Sequence, residues 1–324
     1  MKPSVFVHTW APDDVLADLE QRYEVEYVNT IDVGYLPADK VAEHAVGKAG
    51  IIVLQAPVVA DVFSANAGTL KAVASVSVGV DNIDVPAATK AGIQVTNTAG
   101  VLNDAVADMA MGLLLAAGRR IVEADRYTRA GKFQGSNFEL FWGAKVKGET
   151  LGIVGFGRIG REVARRARGF GLNIVYHNRN RVDGEIEKEL GATYLSLEDL
   201  LKQSRYVILL TPLTPETTHM INAERLALMR KDGYLINISR GPVVHEEALL
   251  AALRADQIAG AALDVYEFEP QVSPGLTALE NVVLLPHIAS GDVETRHAMV
   301  RVAAQNLTAA LSGERVSHPV NKIG

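Results

Sequence analysis

Three residue types that together could handle a carboxylate-bearing ketone stand just after short apolar runs in the second half of the 324-residue chain. Arg240 follows the run 234–238 in Asn237-Ile238-Ser239-Arg240-Gly241. Glu269 comes after the run 258–262, within Asp264 to Pro270, and His287 follows 282–285 in Pro286-His287-Ile288-Ala289-Ser290. A guanidinium grips a carboxylate through two parallel hydrogen bonds and stays charged at physiological pH. An imidazole can give a proton to a ketone oxygen near neutral pH. A carboxylate beside an imidazole orients it and favours its protonated form. Any one of these groups alone is more readily structural; the three together point to a 2-oxo acid.

Those groups converge only if the runs before them are parallel strands of one sheet, whose carboxyl ends share an edge. Residues 151–176, LGIVGFGRIGREVARRARGFGLNIVY, supply the first unit of such a sheet. A strand at 151–154 opens into Gly155-Phe156-Gly157-Arg158-Ile159-Gly160, a helix follows at 158–168, and a second strand closes the unit at 173–176. Gly155 permits the tight turn, Gly157 lets the backbone approach a pyrophosphate, and Gly160 lets the helix sit close to the strand. The helix start offers free N–H groups and a positive dipole end to the phosphates. Further strands are expected at 206–210, 234–238, 258–262 and 282–285, with a short run at 193–195 and helices at 197–202, 223–229 and 246–255. The glycine turn opens on the same edge as Arg240, Glu269 and His287. Hydride from a bound nicotinamide would then complete reduction of a 2-oxo acid to a 2-hydroxy acid.

The first part of the chain predicts a smaller parallel α/β domain, with strands at 4–8, 25–28, 51–54, 73–76 and 93–95 and helices at 12–23, 37–46 and 86–91. The apolar run 104–121 reads as a buried helix between the two domains, and 133–147 as a loop rich in aromatic residues. The amphipathic run 293–311 is expected to cross back and cover the first domain.

Composition narrows the classes. The hydrophobic fraction is 48% and the charged fraction 22%, as in an ordinary globular protein. A net charge of −6 argues against a nucleic-acid partner. With no cysteine there is no disulfide, thiolate metal site or cysteine nucleophile. No signal core and no apolar run of membrane-spanning length is visible, so a soluble, cytoplasmic protein is expected.

The end of the second strand of the glycine unit bears on which dinucleotide binds. An NAD site places an acid there, on the ribose hydroxyls. Here the run is Tyr176-His177-Asn178-Arg179-Asn180-Arg181-Val182, with no acid before Asp183. Arg179 and Arg181 offer guanidinium groups to a 2′-phosphate and Asn178 a hydrogen-bond donor, so NADPH is expected as the preferred cofactor and NADH as the alternative. A solvated basic turn is the plainer reading.

Over nearly its whole length the sequence resembles the D-isomer-specific 2-hydroxyacid dehydrogenases. The resemblance rests on Ser77-Val78-Gly79-Val80-Asp81-Asn82-Ile83-Asp84, the glycine turn, Ile238-Ser239-Arg240-Gly241, Asp264 to Pro270 and Pro286 to Ser290. It implies two Rossmann-like doubly wound domains, a substrate domain at 1–98 plus 288–324 and a cofactor domain at 99–287. It implies Arg240, Glu269 and His287 as the catalytic set, with His287 the acid/base, and Val78 and Gly79 as backbone donors to the substrate carboxylate. Cofactor contacts would include Thr211, Pro212, Ile238, Ser239, Asp264 and Ser290. Homodimers are implied, with the long helix after Val101 in the interface. Among family members the chain is most similar to glyoxylate/hydroxypyruvate reductases, in which Trp142 would reach a neighbouring subunit's site or else anchor its own loop; Phe138 or Phe141 could take the same part. A bulkier 2-oxo acid such as 2-ketogluconate, phosphite oxidation, or a dinucleotide-sensing binding protein are the alternatives.

The remaining ionisable residues read as structural. Arg161, Arg165, Arg166 and Arg168 have the spacing of an exposed helix face, whereas Arg158 lies in the first turn beside the phosphates. His8, His44, His219, His297 and His318 are expected on the surface or in packing, His245 at a helix start, and Asp81 and Asp84 in capping or turns. No metal site is expected.

Overall fold

Apolar runs too short to bury themselves as helices form strands covered on both faces. The protein, a computed structural model describing residues 2–323, has strands β1 (Ser4–His8), β2 (Glu24–Tyr27), β3 (Gly50–Val53), β4 (Ala72–Ser75), β5 (Gln94–Thr96), β6 (Thr150–Val154), β7 (Asn173–His177), β8 (Ala192–Tyr194), β9 (Tyr206–Leu209), β10 (Tyr234–Asn237), β11 (Gly260–Leu263) and β12 (Val282–Leu284). Among the described residues they form a five-stranded sheet, β2-β1-β3-β4-β5, and a seven-stranded sheet, β12-β11-β10-β9-β6-β7-β8. Both are parallel, in agreement with the expected doubly wound architecture. Every residue of β3, β4, β9 and β11 is buried, as a parallel strand with both faces covered requires. The chain divides into two compact units, one running to Leu102 and resuming at Gly291, the other Asn103–Ser290.

In the first unit the helix Val293–Leu311 packs on β3, β4 and β5, so the segment after the second unit covers this sheet. The tail beyond it protects the edge strand β5. The Asn321 side chain accepts from the Val95 N–H (2.7 Å) and donates to the Ile93 carbonyl (2.9 Å).

In the second unit the helix Arg158–Gly169 buries Gly160, Val163, Ala164 and Ala167, a stripe at helical spacing. Against it lies the helix Asn103–Gly118. That helix stops earlier than the apolar run suggests. Arg120 takes a left-handed backbone (φ 53°) and a second helix, Ile121–Arg129, follows. The long helix is also a packed member of the second unit, with contacts to β10, β11 and β12. The expected exposed arginine face needs two corrections: Arg161 is half-buried, its Nε out of solvent, and Arg166 crosses to Asp104 (2.8 Å) and to Asp108, tying the two helices together. The run 133–147 is irregular, with Phe133, Phe138 and Trp142 exposed.

Candidate active site

The seven-stranded sheet reverses its order between β6 and β9, and ligands of such sheets bind outside the strand carboxyl ends at that reversal. The glycine turn after β6 lies there. Gly155 has φ +99°, and a Cβ on it would come within 2.7 Å of the Leu210 carbonyl carbon and 2.9 Å of the Thr211 nitrogen. A Cβ on Gly160 would meet the Gly155 carbonyl oxygen at 2.4 Å, so the helix start presses onto the turn. Gly157 caps this helix without a side-chain bond, and nothing stands within 4 Å of where its Cβ would be. The N–H groups of the helix start therefore face room that phosphate oxygens could fill. Arg158 is exposed in the first turn beside Ile159, and buried Phe156 stacks on Tyr176 at 4.3 Å. Across the edge, the Thr211 hydroxyl is buried with no hydrogen-bond partner, a group a bound ligand would satisfy. These features fit a dinucleotide held by the glycine turn, the helix start and Thr211–Pro212.

Asn178 accepts the Phe156 N–H at 2.9 Å, which pins the glycine turn to the end of β7. Arg179 is exposed. Arg181 is not the open guanidinium expected from the sequence: it makes a two-pronged pair with Glu187 (2.7 Å twice), and the Tyr176 hydroxyl donates to the same carboxylate at 2.6 Å. Arg181 chiefly, with Tyr176, draws the Glu187 carboxyl down to about 2. Ile238 is buried, and Ser239 turns inward, both its N–H and its hydroxyl donating to Asn237 Oδ1. Ser290 is half-buried.

The three chemistry-bearing side chains come from the ends of β10, β11 and β12. His287 Nδ1 lies 2.9 Å from Glu269 Oε2, so the expected carboxylate–imidazole pair is present. Burial opposes the charge on Glu269. The bond to His287, the Tyr266 N–H and the nearby Arg240 guanidinium outweigh it and hold the carboxyl below its ordinary value. Arg240 donates to the Ser239 carbonyl at 2.9 Å. His287 has a left-handed backbone (φ 55°), strain that a non-glycine residue keeps only where its surroundings impose it.

Asp264 imposes it. The residue is fully buried; its carbonyl accepts the His287 N–H (2.9 Å), and its two carboxylate oxygens accept from Ile288 and Ala289 (2.8 Å each). Burial raises its carboxyl pKa despite those two donors. The Asp264 carboxylate, expected at the cofactor, accepts one N–H of the loop carrying His287 on each of its oxygens.

In the first unit, Val78 and Gly79 are half-buried in the loop after β4, where Asn97 donates to the Val78 carbonyl at 2.9 Å. In the second, Trp142 is 68% exposed; its ring stands edge-on to Phe138 and its Nε1 donates to the Phe138 carbonyl at 2.5 Å. His8 is a packing residue, buried between the Val28 carbonyl and the Leu36 N–H, and Asp84 and His245 cap helices. His219 takes the packing alternative, its Nε2 lying 2.6 Å from Glu267. The joining of Glu267 with Glu246 and His219 has no signal in the sequence. Glu267 stands two places before Glu269, but its partners are 21 and 48 residues away. Among the described residues no group of three or more His, Cys, Asp or Glu could hold a metal ion, and no helix is long and apolar enough to cross a membrane.

Comparison with known proteins accords with this geometry. Residues 111–289 match the family described as D-isomer specific 2-hydroxyacid dehydrogenase, NAD binding domain. The chain is 46% identical to a glyoxylate reductase of Thermococcus kodakarensis, over 99% of this chain and 97% of that one. It is 47% identical to a glyoxylate reductase of Korarchaeum cryptofilum, with the same coverage of 99% and 97%. Among solved structures it is similar to an NADPH-dependent glyoxylate/hydroxypyruvate reductase from Sinorhizobium meliloti in complex with NADP and malonate, with TM-score 0.87, 36% identity and coverage of 99% and 97%.

Proposed function

Since the chain belongs to the D-isomer-specific 2-hydroxyacid dehydrogenase family, an oxidoreductase family that uses a nicotinamide dinucleotide, we propose that it reduces glyoxylate and hydroxypyruvate to glycolate and D-glycerate with NADPH. The observation that carries this reading is the His287–Glu269 pair, with Arg240 beside it, on the sheet edge that bears the glycine turn. A nicotinamide held by the glycine turn would supply the hydride for the carbonyl carbon. Arg240 holds the substrate carboxylate, whose planar oxygens suit a guanidinium fork. His287 directs Nδ1–H to Glu269, which leaves Nε2 as the nitrogen that gives its proton to the carbonyl oxygen. Glu269 stabilises the imidazolium before transfer and fixes the ring afterwards. Asp264 positions His287 by accepting the N–H groups of the loop that carries it.

A panel of 2-oxo acids, with NADPH oxidation followed by absorbance, tests the reading. Glyoxylate and hydroxypyruvate are expected to turn over fastest, and Arg240→Ala to raise the substrate KM and lower kcat together. Failure to turn over any 2-oxo acid would leave only a binding function.

The preference for NADPH rests on the end of β7, where no acid precedes Asp183 and Arg179 is exposed. Because Glu187 occupies Arg181, Arg179 carries most of the 2′-phosphate contact. One charge-assisted hydrogen bond is worth about 1.5–3 kcal/mol, and an exposed site lies at the low end. Arg179→Ala should therefore raise the KM for NADPH roughly tenfold and leave that for NADH unchanged. Equal use of both cofactors by the wild type would contradict the preference. The exposed Phe133, Phe138 and Trp142 support a homodimer built on this unit, which sedimentation would reveal. The cytoplasm is the compartment this reading implies.

A further inference from the structure

The segment carrying Arg240 and the segment carrying Glu269 press backbone against backbone, and a cluster outside the site described above joins them. Glu246 begins the helix Glu246–Arg254, six residues after Arg240; Glu267 stands two residues before Glu269. Each donates its backbone N–H to the other's carboxylate: Glu246 to Glu267 Oε2 at 2.8 Å, and Glu267 to Glu246 Oε2 at 3.1 Å. The second oxygen of Glu267 lies 2.6 Å from His219 Nε2, and the His219 N–H donates to the Pro242 carbonyl at 2.7 Å. Glu246 is buried, and Glu267 is 12% exposed at its side chain. Buried charged groups without hydrogen-bonded partners are costly, so reciprocal satisfaction holds both segments to one register.

We propose that Glu267, braced by Glu246 and His219, is a positioning residue that sets Arg240 against the Glu269–His287 pair. The inference rests on the catalytic roles proposed for those three side chains. Losing the Glu267 carboxylate leaves the Glu246 N–H and the His219 ring without their acceptor, and the two loops can then slide. A displacement of about 1 Å in such a constellation can cost on the order of 10²-fold in rate. Cofactor affinity should not follow, because the brace joins residues 219, 246 and 267, whereas the glycine turn is pinned by Asn178 at the end of β7.

The test compares Glu267→Ala, Glu267→Gln, His219→Ala and His287→Ala in steady-state glyoxylate reduction, with NADPH affinity from fluorescence titration and melting temperature for each. Glu267→Ala is expected to lower kcat roughly 30- to 100-fold with the NADPH dissociation constant within about twofold of wild type. Glutamine can accept from Glu246 and donate to His219, so Glu267→Gln should recover to within about threefold of wild type. His219→Ala should cost about fivefold, the share of one brace member. Wild-type kcat in Glu267→Ala, equal damage from alanine and glutamine, or NADPH affinity falling in step with kcat would overturn the proposal. If Glu267→Ala does not fold, wild-type kcat in His219→Ala overturns it. Full activity in His287→Ala would instead sink the active-site reading, whereas an inactive His287→Ala beside an unimpaired Glu267→Ala sinks the brace alone.

Discussion

Replacing His287 by alanine is expected to lower kcat for glyoxylate reduction by about 10²–10⁴-fold, the usual contribution of a positioned general acid. NADPH binding should stay within about twofold of wild type, since the ring belongs to the β12 end of the sheet and the glycine turn to β6. The loop itself should survive, because its anchors are backbone groups: Asp264 receives the N–H groups of residues 287, 288 and 289 whatever side chain residue 287 carries. Both histidine and alanine are strained in a left-handed backbone, histidine somewhat less, so melting temperature should fall only slightly. Glu269→Gln makes a graded comparison. Glutamine cannot stabilise an imidazolium with a full charge, so activity should fall by less than in His287→Ala. Full retention of kcat by His287→Ala would remove the proposed acid.

The parts legible in the sequence were those whose physics is local. Gly160 is demanded by a contact within one strand–turn–helix unit, and Gly155 by its own positive φ in the turn, although the space its missing Cβ leaves is filled by residues 210 and 211. Arg240, Glu269 and His287 were visible because each follows a short apolar run, and the parallel sheet brings such positions to one edge. What could not be read depends on how separate elements fold onto one another. The sequence shows Arg181 as a free cation at the end of β7; only the fold of Gly184–Leu190 brings Glu187 against it. Nor does the motif around Asp264 show that its carboxylate oxygens accept from residues 24 and 25 positions later. The break at Arg120 was hidden because an alanine- and leucine-rich helix leads into it and a second helix-forming run, Ile121–Arg129, follows at once, and a single left-handed residue leaves no compositional trace.

Gly241→Ala should be the most damaging single-methyl change in the second unit. A Cβ built on Gly241 would lie 1.7 Å from the Tyr266 carbonyl oxygen, 1.9 Å from its carbonyl carbon and 2.5 Å from the Glu267 nitrogen. All three are backbone atoms, so no side-chain rotation relieves the overlap; the two segments must part. Overpacking typically costs about 1–3 kcal/mol, and a contact this close against backbone belongs at or beyond the top of that range. For a unit of this size, each kcal/mol lowers the melting temperature by about 2–4 °C, which gives a fall of roughly 6–12 °C. The parting also moves Arg240, the residue immediately before Gly241, away from the loop that ends in Glu269. Activity below the melting transition should therefore drop by on the order of 10²-fold, mostly in kcat. Calorimetry and steady-state kinetics on the same preparation separate the two effects. A variant that melts within about 2 °C of wild type and keeps its kcat would mean that the contact between the 240–246 and 264–270 segments is not what holds the site in register.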